Sequence, residues 1–132
     1  MVGLETEDKL FNFLKLLHPD LKRATDTFST FDCYSERNDF YLELKCRRTH
    51  YNNLLIEKDK FDRLKDIETR RNTRAYYVCS TPKGVWVFHL NKEPKWSIEP
   101  MPATTDFEDK EIVSKVIGYF SIYEGKELKY AS

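Results

Sequence analysis

The sequence predicts an α/β fold, a central mixed β-sheet flanked by helices, on three observations. Apolar residues recur with the 3.6-residue period of a helix near the start of the chain and again beyond position 55. Between those stretches, and again over 75–90, they alternate with the period of two that marks a strand. With 40% apolar and 14% aromatic residues among 132, the chain can build one modest core, and a single domain over 1–132 is expected.

Over 6–17 the apolar residues fall at 10, 11, 13, 14, 16 and 17, the stripe of an amphipathic helix that Pro19 ends. The run 27–34 (TFSTFDCY) is β-rich and alternating, SERN is a turn-type cluster, and 39–47 alternates again with Phe40, Leu42 and Leu44 on one face. These two runs predict a hairpin. Asn52 and Asn53 break the pattern, and 55–71 carries Ile56, Phe61, Leu64 and Ile67 among charges, a second amphipathic helix whose Arg70 and Arg71 suit the C-terminal end of its dipole. AYYVCS (75–80) and VWVFHL (85–90) predict two strands about the turn Thr81, Pro82, Lys83, Gly84. Beyond the Pro-interrupted EPKWSIEPMP, residues 108–123 place Ile112, Val113, Val116, Ile117 and Phe120 at helical spacing, so a third helix is expected to close the domain.

Composition excludes several classes of function. No run of about 18 apolar residues exists and MVGLETEDK lacks an apolar signal core, so neither a membrane span nor a leader is expected, and the compartment expected is cytoplasmic. Cys33, Cys46 and Cys79 are odd in number and form no C-x-x-C pair, as free thiols do. His18, His50 and His89 are scattered, which argues against a histidine metal site or triad. Net charge is zero from 22 basic and 22 acidic residues. Over 45–74, however, ten Lys or Arg stand against five Asp or Glu. Two readings of that run compete: a solvated helix face, or a phosphate-binding flank that includes Arg47, Arg48, Lys58, Lys60 and Arg63.

Glu-x-Lys occurs six times, starting at Glu7, Glu43, Glu93, Glu108, Glu124 and Glu127, and only the copy at 43 lies on a strand-like alternation. There Asp39, Tyr41, Glu43 and Lys45 project from the face opposite Phe40, Leu42 and Leu44. If the hairpin loop is 35–38, Tyr34 faces Asp39 and Phe31 faces Leu42. Asp32 then lies on the face of Glu43 as its diagonal neighbour, roughly 7 to 8 Å away in the backbone. Two carboxylates so placed can converge on a hard divalent cation such as Mg²⁺, which takes one or two protein carboxylates and leaves room for water and phosphate. A lysine on the same face can hold a water or neutralise developing charge, and the combination suits phosphodiester hydrolysis. The competing reading is an exposed strand face whose charges only pair with neighbours.

An amphipathic helix, a strand with Asp32, a strand with Glu43-Leu44-Lys45, a second helix and a further strand together resemble the PD-(D/E)XK nuclease superfamily, in its small stand-alone phage-nuclease or junction-resolvase-like form. The resemblance covers roughly residues 5–90. It implies a restriction-endonuclease-like core of α-β-β-α-β order, here with an extra strand and the C-terminal helix, and a Mg²⁺- or Mn²⁺-dependent deoxyribonuclease. It also implies that Asp32 and Glu43 hold metal, that Lys45 is the catalytic lysine, and that Glu7 is the carboxylate of the first helix. For the polar residue near the start of the second helix, Lys60 and Lys58 compete. Tyr41 and His50 are candidates for support, although His50 equally reads as an exposed loop residue. Lys115, on the expected last helix, could grip substrate. Phe31 stands where the naming proline would be, and only 21–26 is free for the strand that precedes the aspartate. The partner implied is DNA, and a homodimer is compatible with the resemblance. The rival reading keeps the fold as a non-catalytic nucleic-acid-binding or host-interaction module.

Overall fold

The structure is a computed structural model that describes residues 4–25, 31–103 and 111–129. Helix α1 (Glu7–Leu17) starts where the Thr6 hydroxyl accepts the Lys9 amide at 3.2 Å, carries Glu7 and Asp8 in its first turn, and gives out at His18 before Pro19. Its stripe of Leu10, Phe11, Phe13 and Leu14 is buried. The chain then forms β1 (Lys22–Arg23), β2 (Cys33–Ser35), β3 (Phe40–Cys46), β4 (Asn53–Glu57), α2 (Lys58–Arg71), β5 (Arg74–Thr81), β6 (Gly84–His89), β7 (Ser97–Pro102) and β8 (Ile112–Ser121). A 3-10 turn (Ile122–Glu124) leads into β9 (Lys126–Leu128).

Six strands make a mixed sheet in the order β1-β2-β3-β5-β6-β9, in which only β3 and β5 run parallel, and three make a smaller sheet, β4-β8-β7. The parallel pair needs a crossover, and β4 with α2 supplies it. Alternation along the strands gives the large sheet two apolar faces. On one, Cys33, Leu42, Leu44, Val78 and Val85 meet the buried stripe of α1. On the other, Ala75, Tyr77, Cys79, Trp86 and Phe88 meet Phe61, Leu64 and Ile67 of α2 together with Leu54, Ile56 and Phe120 of the small sheet. The predicted mixed sheet flanked by helices is therefore present, with one helix on each face. Among the described residues no helix is long and apolar enough to cross a membrane.

Four expectations are corrected. The third helix is strand β8: Ile112, Val113, Val116 and Ile117 are β-branched, lose side-chain freedom in a helix and pack well on a pleated surface. Gly118 permits close packing there, since a Cβ would lie 2.8 Å from Pro94 Cγ and 2.9 Å from Trp96 Cε3. The part of the expected helix before residue 111 lies outside the described residues. The second helix begins at Lys58, not at 55, because Leu54 and Ile56 alternate into the core as strand β4. The hairpin turn spans 36–39 instead of 35–38, so Ser35 opposes Phe40 and Cys33 opposes Leu42. Ser35 is held in the strand by its hydroxyl, which donates to the Asp20 carboxylate at 2.9 Å and accepts the Asn38 amide at 3.1 Å. Asp39 leaves the strand and takes a left-handed φ of 54°. Finally, Phe31 does not join the apolar face of Leu42 but packs on Tyr34 and Tyr41 on the opposite side. The expected strand over 27–34 starts outside the described residues, and the one over 21–26 is the two-residue β1. Strands β7 and β9 were not foreseen; two prolines hid the first and its shortness the second.

Candidate functional site

The two-place change in register keeps the residues within β2 and β3 on their predicted faces, since side chains alternate with period two, but the alternation breaks before Cys33, where Phe31 changes side. Asp32 stands just before β2, at the end of that ladder, and its carboxylate interacts with that of Glu43. The Asp32 amide donates to the Leu42 carbonyl at 2.8 Å. One rung further, the Asp32 carboxylate takes the place of a backbone carbonyl and accepts the Leu44 amide at 2.7 Å. That bond fixes the aspartate rotamer beside Glu43, which is only 6% exposed.

Burial, and then the Asp32 charge, push the Glu43 carboxyl up to about 7, although the Lys60 ammonium pulls the other way. Lys60, in the first turn of α2, donates to Glu43 Oε1 at 2.6 Å. Burial, the largest single influence, disfavours the Lys60 charge, but its bond to Glu43 together with the charges of Glu43, Asp32 and Glu57 outweighs it and leaves its pKa raised. Glu7 joins the same group from the first turn of α1. Burial and then the Asp32 carboxylate raise its pKa, opposed by Arg23. Lys45, two residues along β3 from Glu43, is half-buried, and burial followed by the charges of Arg47 and Lys60 lowers its pKa.

Three carboxylates and two ammonium groups thus act on one another electrostatically across α1, β2, β3 and α2. Among the described residues no group of three or more His, Cys, Asp or Glu is close enough to hold a metal by itself. Asp32 and Glu43 do fit the smaller protein share that Mg²⁺ requires, and their mutual repulsion, expressed in the raised Glu43, is what a bound cation would relieve.

No protein-family model matches the chain, and no curated protein matches it in sequence. Among solved structures it superposes on Hjc, a Holliday junction resolvase from the archaeal hyperthermophile Archaeoglobus fulgidus, with a TM-score of 0.55 over 93% of each chain at 17% identity. The two chains share a fold. That likeness to Hjc says nothing about individual residues, so the remaining candidates are placed by their own contacts.

Tyr41 shares the strand face of Glu43, and its hydroxyl accepts from Arg71 at 2.8 Å. His50 is not drawn into the carboxylate group: its ring nitrogens bond Thr81 Oγ1 at 2.8 Å and Asn52 Oδ1 at 3.2 Å beside Trp86. Arg47 turns inward and donates to the Leu55 carbonyl at 2.8 Å. Arg48 is exposed and, with Leu4, Thr6 and Pro82, lines a cavity of about 550 Å³. Of the two lysines that compete for the start of α2, Lys60 reaches Glu43 while Lys58 pairs with Asp62 at 2.7 Å and lies over Trp96. Arg63 stands 3.8 Å from Asp59, Arg70 2.7 Å from Asp66 and Lys65 2.9 Å from Glu68, so much of the basic run on α2 is balanced within the helix.

Two contributors were missed in the sequence. Arg23 on β1 stands 4.0 Å from Glu7 and bonds Asp8, a pairing across 15 residues with no local signal. Glu57, the residue before α2, pairs with Lys115 at 2.7 Å and favours the charge of Lys45; Lys115 does so from strand β8, not from a helix.

Proposed function

We propose that this chain is a divalent-metal-dependent nuclease of the PD-(D/E)XK superfamily that hydrolyses phosphodiester bonds in DNA. The observation that carries the reading is the meeting of the Asp32 and Glu43 carboxylates at the start of β2 and on β3, with Lys45 on the same face of β3. The fold shared with a Holliday junction resolvase supports DNA as substrate. Asp32 and Glu43 would hold Mg²⁺ or Mn²⁺, which supplies a bound water of lowered pKa and polarises the phosphoryl oxygens. Lys45, its ammonium partly desolvated, orients the attacking water and faces the charge that develops on the phosphate. Lys60 donates to Glu43 Oε1, offsets its charge and holds the carboxylate in place. Glu7, steered by Arg23, adds negative charge next to Asp32.

Linear, single-stranded, nicked and branched DNA, each with Mg²⁺, Mn²⁺ or Ca²⁺, test the proposal. Cleavage of at least one substrate with Mg²⁺ or Mn²⁺ and none in chelator is expected; no cleavage anywhere in the panel would remove the reading. Lys45→Ala should lower the cleavage rate at least a hundredfold. Its melting temperature and Mn²⁺ affinity should stay close to the parent's, because the ammonium acts in chemistry and not in packing. A loss of Mn²⁺ affinity as large as the loss of rate would instead make Lys45 part of the metal site.

A further inference from the structure

The face of β3 that bears Glu43 continues, two residues back along the strand, into Tyr41, which opposes Tyr34 of β2 directly. Their rings lie 6.0 Å apart, inclined by 25°. Phe31 closes the group edge-on, 4.7 Å from Tyr41 and 6.0 Å from Tyr34. Over these rings the last residue of α2 extends a guanidinium: Arg71 is 5.2 Å from the Tyr41 centroid and 6.0 Å from that of Phe31. Its position is fixed by the bond to the Tyr41 hydroxyl and by the left-handed Asn72 that ends the helix. The bond goes to a neutral group, so it leaves the charge of Arg71 uncancelled. These residues line a cavity of about 440 Å³, within the range of sites that take small ligands. The hydrolytic reading uses none of Phe31, Tyr34 and Arg71.

We propose that this cavity is a base-binding subsite that takes an unpaired nucleobase of the bound strand. Aromatic faces stack any base, and a guanidinium beside them can stack on the base and hold its phosphate. Base-paired nucleotides keep both faces within the duplex stack and cannot enter. Two acids sharpen the choice. Asp39, whose carboxylate accepts from Thr73 Oγ1 at 2.8 Å, and Glu36 both line the cavity and disfavour phosphate beside them. The neutral base therefore points inward and its phosphate towards Arg71. Two strand residues separate this pair from Asp32 and Glu43, about 6.8 Å, or roughly two stacked base steps of 3.4 Å. On the nuclease reading, the base that enters belongs to a nucleotide one or two places from the scissile phosphate, so the substrate carries a single-stranded segment there.

Binding measured without metal, by fluorescence anisotropy of end-labelled oligonucleotides in chelator, tests the subsite on the full chain. The probes are an octamer of thymidylate and the same octamer with its central nucleotides replaced by abasic ones. The parent protein should bind the first more tightly than the second. Tyr34→Ala should weaken the first about five- to a hundredfold and leave the second unchanged, and Tyr34→Phe should restore it. Equal affinity of the parent for both probes would overturn the proposal without recourse to any variant, as would a Tyr34→Ala effect equal on both. Because no metal is present, the outcome is separable from cleavage. A chain that cleaves but ignores base removal loses the subsite alone, and one that senses the base but cleaves nothing in the panel loses the nuclease reading alone.

Discussion

In metal-free buffer at pH 8, Glu43→Gln should melt several degrees above the parent protein, and at pH 4.5 the two should nearly coincide. Glu43 is buried beside Asp32, and its folded-state pKa is about 7 against an ordinary 4.5. A raised carboxyl pKa means that the folded state binds the proton more tightly than the unfolded one. The contribution to stability is thus fully present below pH 4.5 and is lost as pH rises through 7. A rise of that size is worth on the order of 3 kcal/mol above pH 7, which glutamine never loses. That figure already includes the attraction of Lys60, so after a discount for solvent screening around its half-exposed ammonium a net gain of roughly one to three kcal/mol remains. For a domain of this size that is several degrees. Added Mn²⁺ should raise the melting temperature of the parent and not of the variant, which should also have lost cleavage. Melting curves that superpose at pH 8 would mean that Glu43 carries no unfavourable charge, and the case for a cation at this position would fall with it.

The hairpin shows what was legible in the sequence and why. Alternation over 39–47 fixed which residues share a face, and that parity survives any slip by an even number of residues. Tyr41, Glu43 and Lys45 keep their common face for that reason, although the turn lies elsewhere, and Asp32, just before β2, meets Glu43 through its side chain. The turn itself could not be read from SERND, because what holds Ser35 in the strand is Asp20, 15 residues upstream. Cys33 and Leu42, fully or almost fully buried against α1, fix the register in place of Phe31. The long apolar run of β8 failed for another reason. Ile112, Val113, Val116 and Ile117 satisfy a helical period, and only the neighbouring edges of β4 and β7, remote in sequence, make the strand the better state. Lys60 was recognisable as a polar residue early in a helix, whereas Arg23, Glu57 and the ring cluster around Arg71 depend on contacts that no local pattern encodes.

Asp32→Asn should abolish Mn²⁺ binding and cleavage with little change in stability, whereas Asp32→Ala should also destabilise the fold. The difference lies in the two tasks of one carboxylate. Its charge faces Glu43 and Glu7, and its oxygen accepts the Leu44 amide at 2.7 Å where the ladder would otherwise end. Asparagine keeps an oxygen for that amide and gives up only the charge. Alanine leaves a part-buried amide without its partner, at a cost of about 1 to 3 kcal/mol. Loss of the charge should also lower the titration midpoint of Glu43 below about 7, though burial, its larger cause, will hold it above the ordinary value. Asp39→Asn provides the contrast. Asp39 sits in the turn at φ 54°, a conformation that asparagine adopts readily, and lies four residues from Glu43, about 13 Å of strand. Metal affinity by calorimetry and cleavage should be unchanged there. If Asp39→Asn removes Mn²⁺ binding and Asp32→Asn does not, the cation sits at the turn end of the hairpin, and the pairing of Asp32 with Glu43 is structural only.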